Sequence, residues 1–229
     1  MATIAELMRV LQFGDSLLPV GAFSFSNGLE TAVETGVVRD VDSLRAFVRA
    51  AVEQAATSDG VAVLAAYRAA SVGDVASVDR ADRAAFDRKL NEEMRTMTVR
   101  MGRKLAEMAA RVLGPSTPAD WLERIKAGAT PGCLPIGQAL VFAALGLSER
   151  DAFAVHQYGL ATMMINASLR LMKIHYLDAQ AVLFEVDADA EEAYERVAKL
   201  GLDDMAAFAP GFDVLASLHV RAHVRMFMN

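Results

Sequence analysis

Leu90, Met94, Met97, Met101, Leu105, Met108 and Val112 recur at spacings of 4, 3, 4, 4, 3 and 4 residues. Apolar residues at that rhythm share one face of an α-helix and cannot share one face of a strand, whose period is two. The pattern predicts a helix from about Ala81 to Leu113, stopped by Gly114 and Pro115. The same periodicity predicts a helix over Val41–Ala56, with Asp42 as candidate N-cap, and a short one over 60–71. Further helices are expected over 121–127, 136–145, 149–176, 178–185, 188–200 and 213–227. "VLFEV" at 182–186 has strand character, but one five-residue run has no partner to pair with. The expected fold is therefore all-α, a single domain spanning 1–229 with about nine or ten helices.

A chain of 229 residues, 54% of them hydrophobic, can bury one large core. A formal charge of -6 argues against a nucleic-acid backbone or an anionic membrane as main partner. A single cysteine, Cys133, excludes an intrachain disulfide and fits a reducing compartment. The N-terminus carries Glu6 and lacks a basic segment followed by an apolar one, so it does not read as a secretory signal. The uncharged stretch from Ala127 to Ser148 is broken by Pro131 and Pro135 and reads as a buried core helix rather than a membrane span. The expected location is cytoplasmic.

One segment resists the helical reading. "SLLPVGAFSFSNGLE", residues 16–30, is interrupted by Pro19 and Gly21, and Phe23 and Phe25 alternate with serines as in a strand. Asn27 and Glu30 form a capping-box-like pair that would open a short helix ending at Gly36. Residues 15–26 then connect two helices, yet carry Leu17, Leu18, Val20, Phe23 and Phe25. A connector this apolar either plugs its own core or serves as a contact surface.

The inventory of candidate chemistry is short. "FGDSLLP" resembles the Gly-Asp-Ser-Leu block of a serine esterase family, with Ser16 as nucleophile, but no Asp-x-x-His occurs anywhere in the chain to supply the base. His219 and His223 stand four apart on the last expected helix, where a shared metal ion would need further ligands and would meet Arg221 and Arg225. Arg88 with Glu92, and Glu107 with Arg111, have the spacing of solvated helical ion pairs. No nucleotide-binding loop, Cys-x-x-Cys or basic recognition helix is present, so no metal, cofactor or catalytic residue is assigned. An all-α transcriptional regulator is the other alternative, but the first 60 residues nearly balance acid and base and show no basic helix-turn-helix.

"SLLPVGAFSFSNGLE" resembles the N-terminal signature of the UreF family of urease accessory proteins. "LNEEMR" at 90–95 with "GRKL" at 102–105 is similar to that family's central helix motif, and Pro135, Gly137, Asn166, Arg170 and Gln180 follow in the family's order. The ending "FAPGFDVLASLHVRAHVRMF" is also similar, with Pro210, Asp213, His219, Arg225 and Phe227 in matching places. The resemblance implies an all-helical, non-catalytic scaffold that dimerises, binds UreD (also called UreH), recruits the GTPase UreG and assists delivery of nickel to apo-urease. Partner contacts are then expected from Leu18, Pro19, Phe23, Phe25 and Glu30 near one end, and from His219, Arg221, Arg225 and Phe227 near the other.

Overall fold

The computed structural model describes residues 3–207, 209–220 and 226–227. Among them are twelve α-helices and no strand: α1 (Ile4–Gly14), α2 (Leu29–Glu34), α3 (Val41–Ala55), α4 (Val61–Ser71), α5 (Val75–Asp87), α6 (Glu92–Leu113), α7 (Thr117–Lys126), α8 (Leu134–Ala144), α9 (Glu149–Leu171), α10 (Tyr176–Asp187), α11 (Ala190–Val197) and α12 (Pro210–Val220). All but α2 and α11 run ten residues or longer. The all-α expectation holds, and no helix among the described residues is long and apolar enough to cross a membrane.

The helix boundaries follow caps more closely than apolar spacing. The helix expected over 81–113 is two helices, because the Asn91 carboxamide accepts from the Glu93 and Met94 amides (2.7 and 3.3 Å) and starts α6 afresh. Leu90 consequently leaves the stripe and is exposed, while Met97, Met101 and Leu105 stay in the core. α3 is capped by Asp40 rather than Asp42: the Asp40 carboxylate accepts from the Ser43 amide at 2.8 Å, and Ser43 reciprocates in a capping box. α9 ends at Leu171 rather than continuing to 176, since the His175 ring accepts from the Leu177 amide and opens α10. The expected final helix begins three residues early at Pro210, whose missing N–H costs nothing in a first turn. Of the expected ion pairs, Arg88 instead donates to the carbonyls of Ala84 and Leu202, and Glu107 pairs with Arg103.

α8 is the hub. It packs against α4, α6, α7 and α9, and Ile136, Ala139, Leu140, Val141 and Phe142 are sealed from solvent. Each large side chain so buried contributes about 1.5–3 kcal/mol. Its approach to α6 depends on Gly102, where a Cβ would lie 2.1 Å from the Gly132 carbonyl oxygen. The loop entering α8 is anchored by buried Asp82, which accepts from the Thr130 hydroxyl and the Gly132 and Cys133 amides at 2.6–2.8 Å. Asp59 and Lys89 form a largely buried ion pair at 2.5 Å.

Two apolar clusters result. One joins α4–α8 with Phe13 of α1 and Val20 and Phe25 of the connector. The other joins α2, α3 and α10 with Leu215 of α12 and Phe227. The long α9 contributes to both, Phe153 and Val155 to the first and Met164 and Ile165 to the second, so the fold is one domain.

Candidate interaction surface and the clasp beneath it

The connector between α1 and α2 is not a strand and does not keep the strand-like alternation that its sequence suggests. Asp15 begins the turn by accepting from the Leu17 amide (2.8 Å), and a short 3-10 turn over Ala22–Ser24 follows. That turn breaks the period of two, so residues two apart no longer share a face. Val20 and Phe25 are buried, Leu18 is half-buried, and Leu17, Pro19 and Phe23 are exposed, Leu17 at 84% and Phe23 at 69%. The two phenylalanines expected to act together are therefore divided: Phe25 plugs the core and only Phe23 offers a surface.

The expected Asn27–Glu30 capping box is absent. Asn27 and Gly28 both take left-handed backbone angles (φ 52° and 80°), which reverses the chain just before α2. The acceptor for the Glu30 amide is the Ser26 hydroxyl, at 3.4 Å. The Glu30 side chain is freed for another task and is itself buried.

That task is to hold the C-terminal segment. One Glu30 oxygen accepts from the Met226 amide at 2.6 Å, and the other from the Phe227 amide and His219 Nε2, both at 3.0 Å. His219 Nδ1 lies 2.9 Å from a Glu93 oxygen, so the ring bridges carboxylates of α2 and α6. An imidazole with both nitrogens protonated is the form that donates to both. Burial would raise the Glu30 acid, but the hydrogen bonds from Met226, His219 and Phe227 outweigh it and hold the carboxyl below its ordinary range. His219 itself is sealed in the interior.

Arg170 joins this clasp to the connector. Its guanidinium donates to the Phe23 carbonyl at 2.8 Å and stacks 4.0 Å from the centroid of the buried Phe227 ring. The backbone of Phe23 is thus fixed while its ring faces solvent. Arg221, His223 and Arg225 lie outside the described residues.

A surface that the sequence reading missed lies on α1. Ile4, Leu7, Met8 and Leu11 follow the spacing i, i+3, i+4, i+7 and are 53–84% exposed, whereas Phe13 alone among the residues of α1 is fully buried. The periodicity was visible in "IAELMRVLQF", but periodicity alone does not tell a stripe facing the protein's own core from one facing outward.

Among the described residues, no catalytic groups assemble around Ser16. Among the described residues no imidazole is hydrogen-bonded to it: His156 contacts Gln138, His175 the Leu177 amide, and His219 the two glutamates. Nor, among the described residues, do three or more His, Cys, Asp or Glu side chains converge as a metal shell. Ser16 does share with Leu17, Leu18 and Phe23 the lining of a cavity of about 580 Å³ that reaches α6, α8 and α9.

The profile of the UreF family matches residues 38–187, which excludes the connector, Glu30 and the C-terminal segment that Glu30 holds. Full-length relatives include them. Urease accessory protein UreF 2 of Brucella canis is 52% identical over 227 residues, covering 99% of this chain and 93% of the relative. UreF 1 of Brucella melitensis is also 52% identical over 227 residues, covering 99% and 94%. UreF of Yersinia enterocolitica is 49% identical over 226 residues, covering 98% and 99%. With the helical fold and these matches over nearly its whole length, the chain belongs to the UreF family.

Proposed function

We propose that the protein acts in urease maturation as a non-catalytic cytoplasmic scaffold that binds UreD (UreH) through α1 and the connector. In this reading it works as a homodimer, recruits the GTPase UreG to the assembly, modulates GTP hydrolysis and so assists nickel insertion into apo-urease. The carrying observation is the exposed stripe Ile4, Leu7, Met8 and Leu11, followed by Leu17 and Phe23 on a connector whose backbone is already fixed. Scattered apolar side chains on a surface are ordinary; four on one face of one helix support a contact site. Fixing the connector before the partner arrives removes much of the ordering cost of binding. Of the expected contact residues, Phe23 and Pro19 present themselves to a partner directly. Glu30, His219 and Phe227 act from beneath, by holding the C-terminal segment in place.

Co-expression with UreD and UreG, followed by size-exclusion chromatography, tests the proposal. Leu7→Ser with Leu11→Ser should abolish co-elution with UreD while far-UV circular dichroism stays unchanged. Co-elution of the doubly substituted chain at wild-type yield would refute the docking site.

A further inference from the structure

α10 has an apolar face toward the core and a second one toward solvent. Ala179, Val182, Leu183 and Val186 pack into the cluster with α3 and α9. At about 100° per residue, Leu177, Ala181 and Phe184 fall on the opposite side, and Leu177 and Phe184 are 59% and 81% exposed. Tyr176, 60% exposed, stands at the edge of this face. An apolar helix face is ordinarily covered, and of the two on α10 only one is.

The rim of this face is acidic. α10 itself carries Asp178, Glu185 and Asp187 and no Lys or Arg, while Asp189, Glu191 and Glu195 beyond it are paired with Arg49 and Arg150. Asp178 and Glu185 flank the stripe along one edge and Asp187 along the other. Glu185 is paired with Arg45, but Asp178 and Asp187 make no ion pair among the described residues. A second copy of the chain docked here about a two-fold axis would set these carboxylates against their own counterparts, and like charges facing each other oppose association.

From the apolar stripe and its acidic border we infer that the outer face of α10 is a docking site for a basic amphipathic helix of a partner protein, apolar on one side and bordered by Lys or Arg. It is separate from the α1 surface and does not depend on which partner that surface holds.

The test uses the full chain and a synthetic helical peptide of about 18 residues, Leu on one face and Lys on the other, labelled with a fluorophore for anisotropy and a benzophenone for cross-linking. Micromolar binding is expected, with cross-links mapping to 176–188. Phe184→Ser and Asp178→Asn with Asp187→Asn should each weaken binding by about tenfold, while Leu7→Ser with Leu11→Ser leaves it unchanged. A peptide with Glu in place of Lys, and a scrambled peptide with no apolar face, should not bind. Equal binding of either control peptide, or cross-links on wild-type protein lying outside 176–188, would overturn the inference, as would a self-dimer in sedimentation equilibrium that Phe184→Ser splits. Because no UreD is present, failure here leaves the α1 proposal standing, and the reverse.

Discussion

Replacing Glu30 probes the clasp most sharply, because one carboxylate serves three donors. Glutamine keeps a single carbonyl oxygen. Placed where Oε2 stands, that oxygen still accepts from Phe227 N and His219 Nε2, but the new amide group then faces the Met226 N–H, donor against donor. One charge-assisted hydrogen bond at 2.6 Å is lost and a buried donor is left unmatched, a cost of about 2–3 kcal/mol. Alanine removes the acceptor altogether and strands His219 between one carboxylate and a void, so Glu30→Ala should cost about 3–5 kcal/mol. Urea unfolding followed by circular dichroism supplies the global figure. Carboxypeptidase digestion reports whether the C-terminal segment comes loose first. A double-mutant cycle with His219→Ala should show a coupling of about 1–3 kcal/mol. Stabilities within 0.5 kcal/mol of wild type, adding independently in the cycle, would refute the reasoning.

Three further outcomes follow from the same structure. Phe25→Ala should destabilise the protein by about 3–5 kcal/mol and Phe23→Ala by less than about 0.5 kcal/mol, as measured by denaturant midpoints. Gly102→Ala should cost at least about 2 kcal/mol despite alanine's higher helix propensity, because the clash is with backbone that no rotamer change relieves; a thermal melt checks it. Stability should also fall with acid in two stages. Burial lowers the His156 pKa below its ordinary 6.5, so its neutral form favours folding above that value and the contribution is lost as pH falls from 6.5 toward the folded-state pKa. Glu30, held below its ordinary 4.5, contributes above 4.5 and is lost as pH falls through its folded-state pKa. His156→Gln should remove the first stage and leave the second.

The helices were legible wherever one apolar stripe met one core, as in the middle of α6, and illegible at their ends. Asn91 and Asp40 are caps whose choice depends on a side chain turning back to an amide, which spacing alone does not record. The connector announced itself through Pro19, Gly21 and its aromatics, but the strand-like alternation of Phe23 and Phe25 is broken by the 3-10 turn over Ala22–Ser24. What the sequence concealed was which of them faces inward, since that depends on a core built mostly from residues downstream of Val61. Glu30 read as a local cap because its partners stand 189 and more positions away. The outer face of α10 was hidden for the opposite reason: a helix with apolar residues on two opposite sides looks like core until its neighbours are known.

Hydrogen exchange of the chain with and without purified UreD puts the central claim to its most direct test. If α1 and the connector form the docking surface, amides over residues 4–23 gain protection in the complex, and Leu7→Ser with Leu11→Ser cancels the gain. Protection confined to other helices, with 4–23 exchanging as in the free chain, would contradict the account.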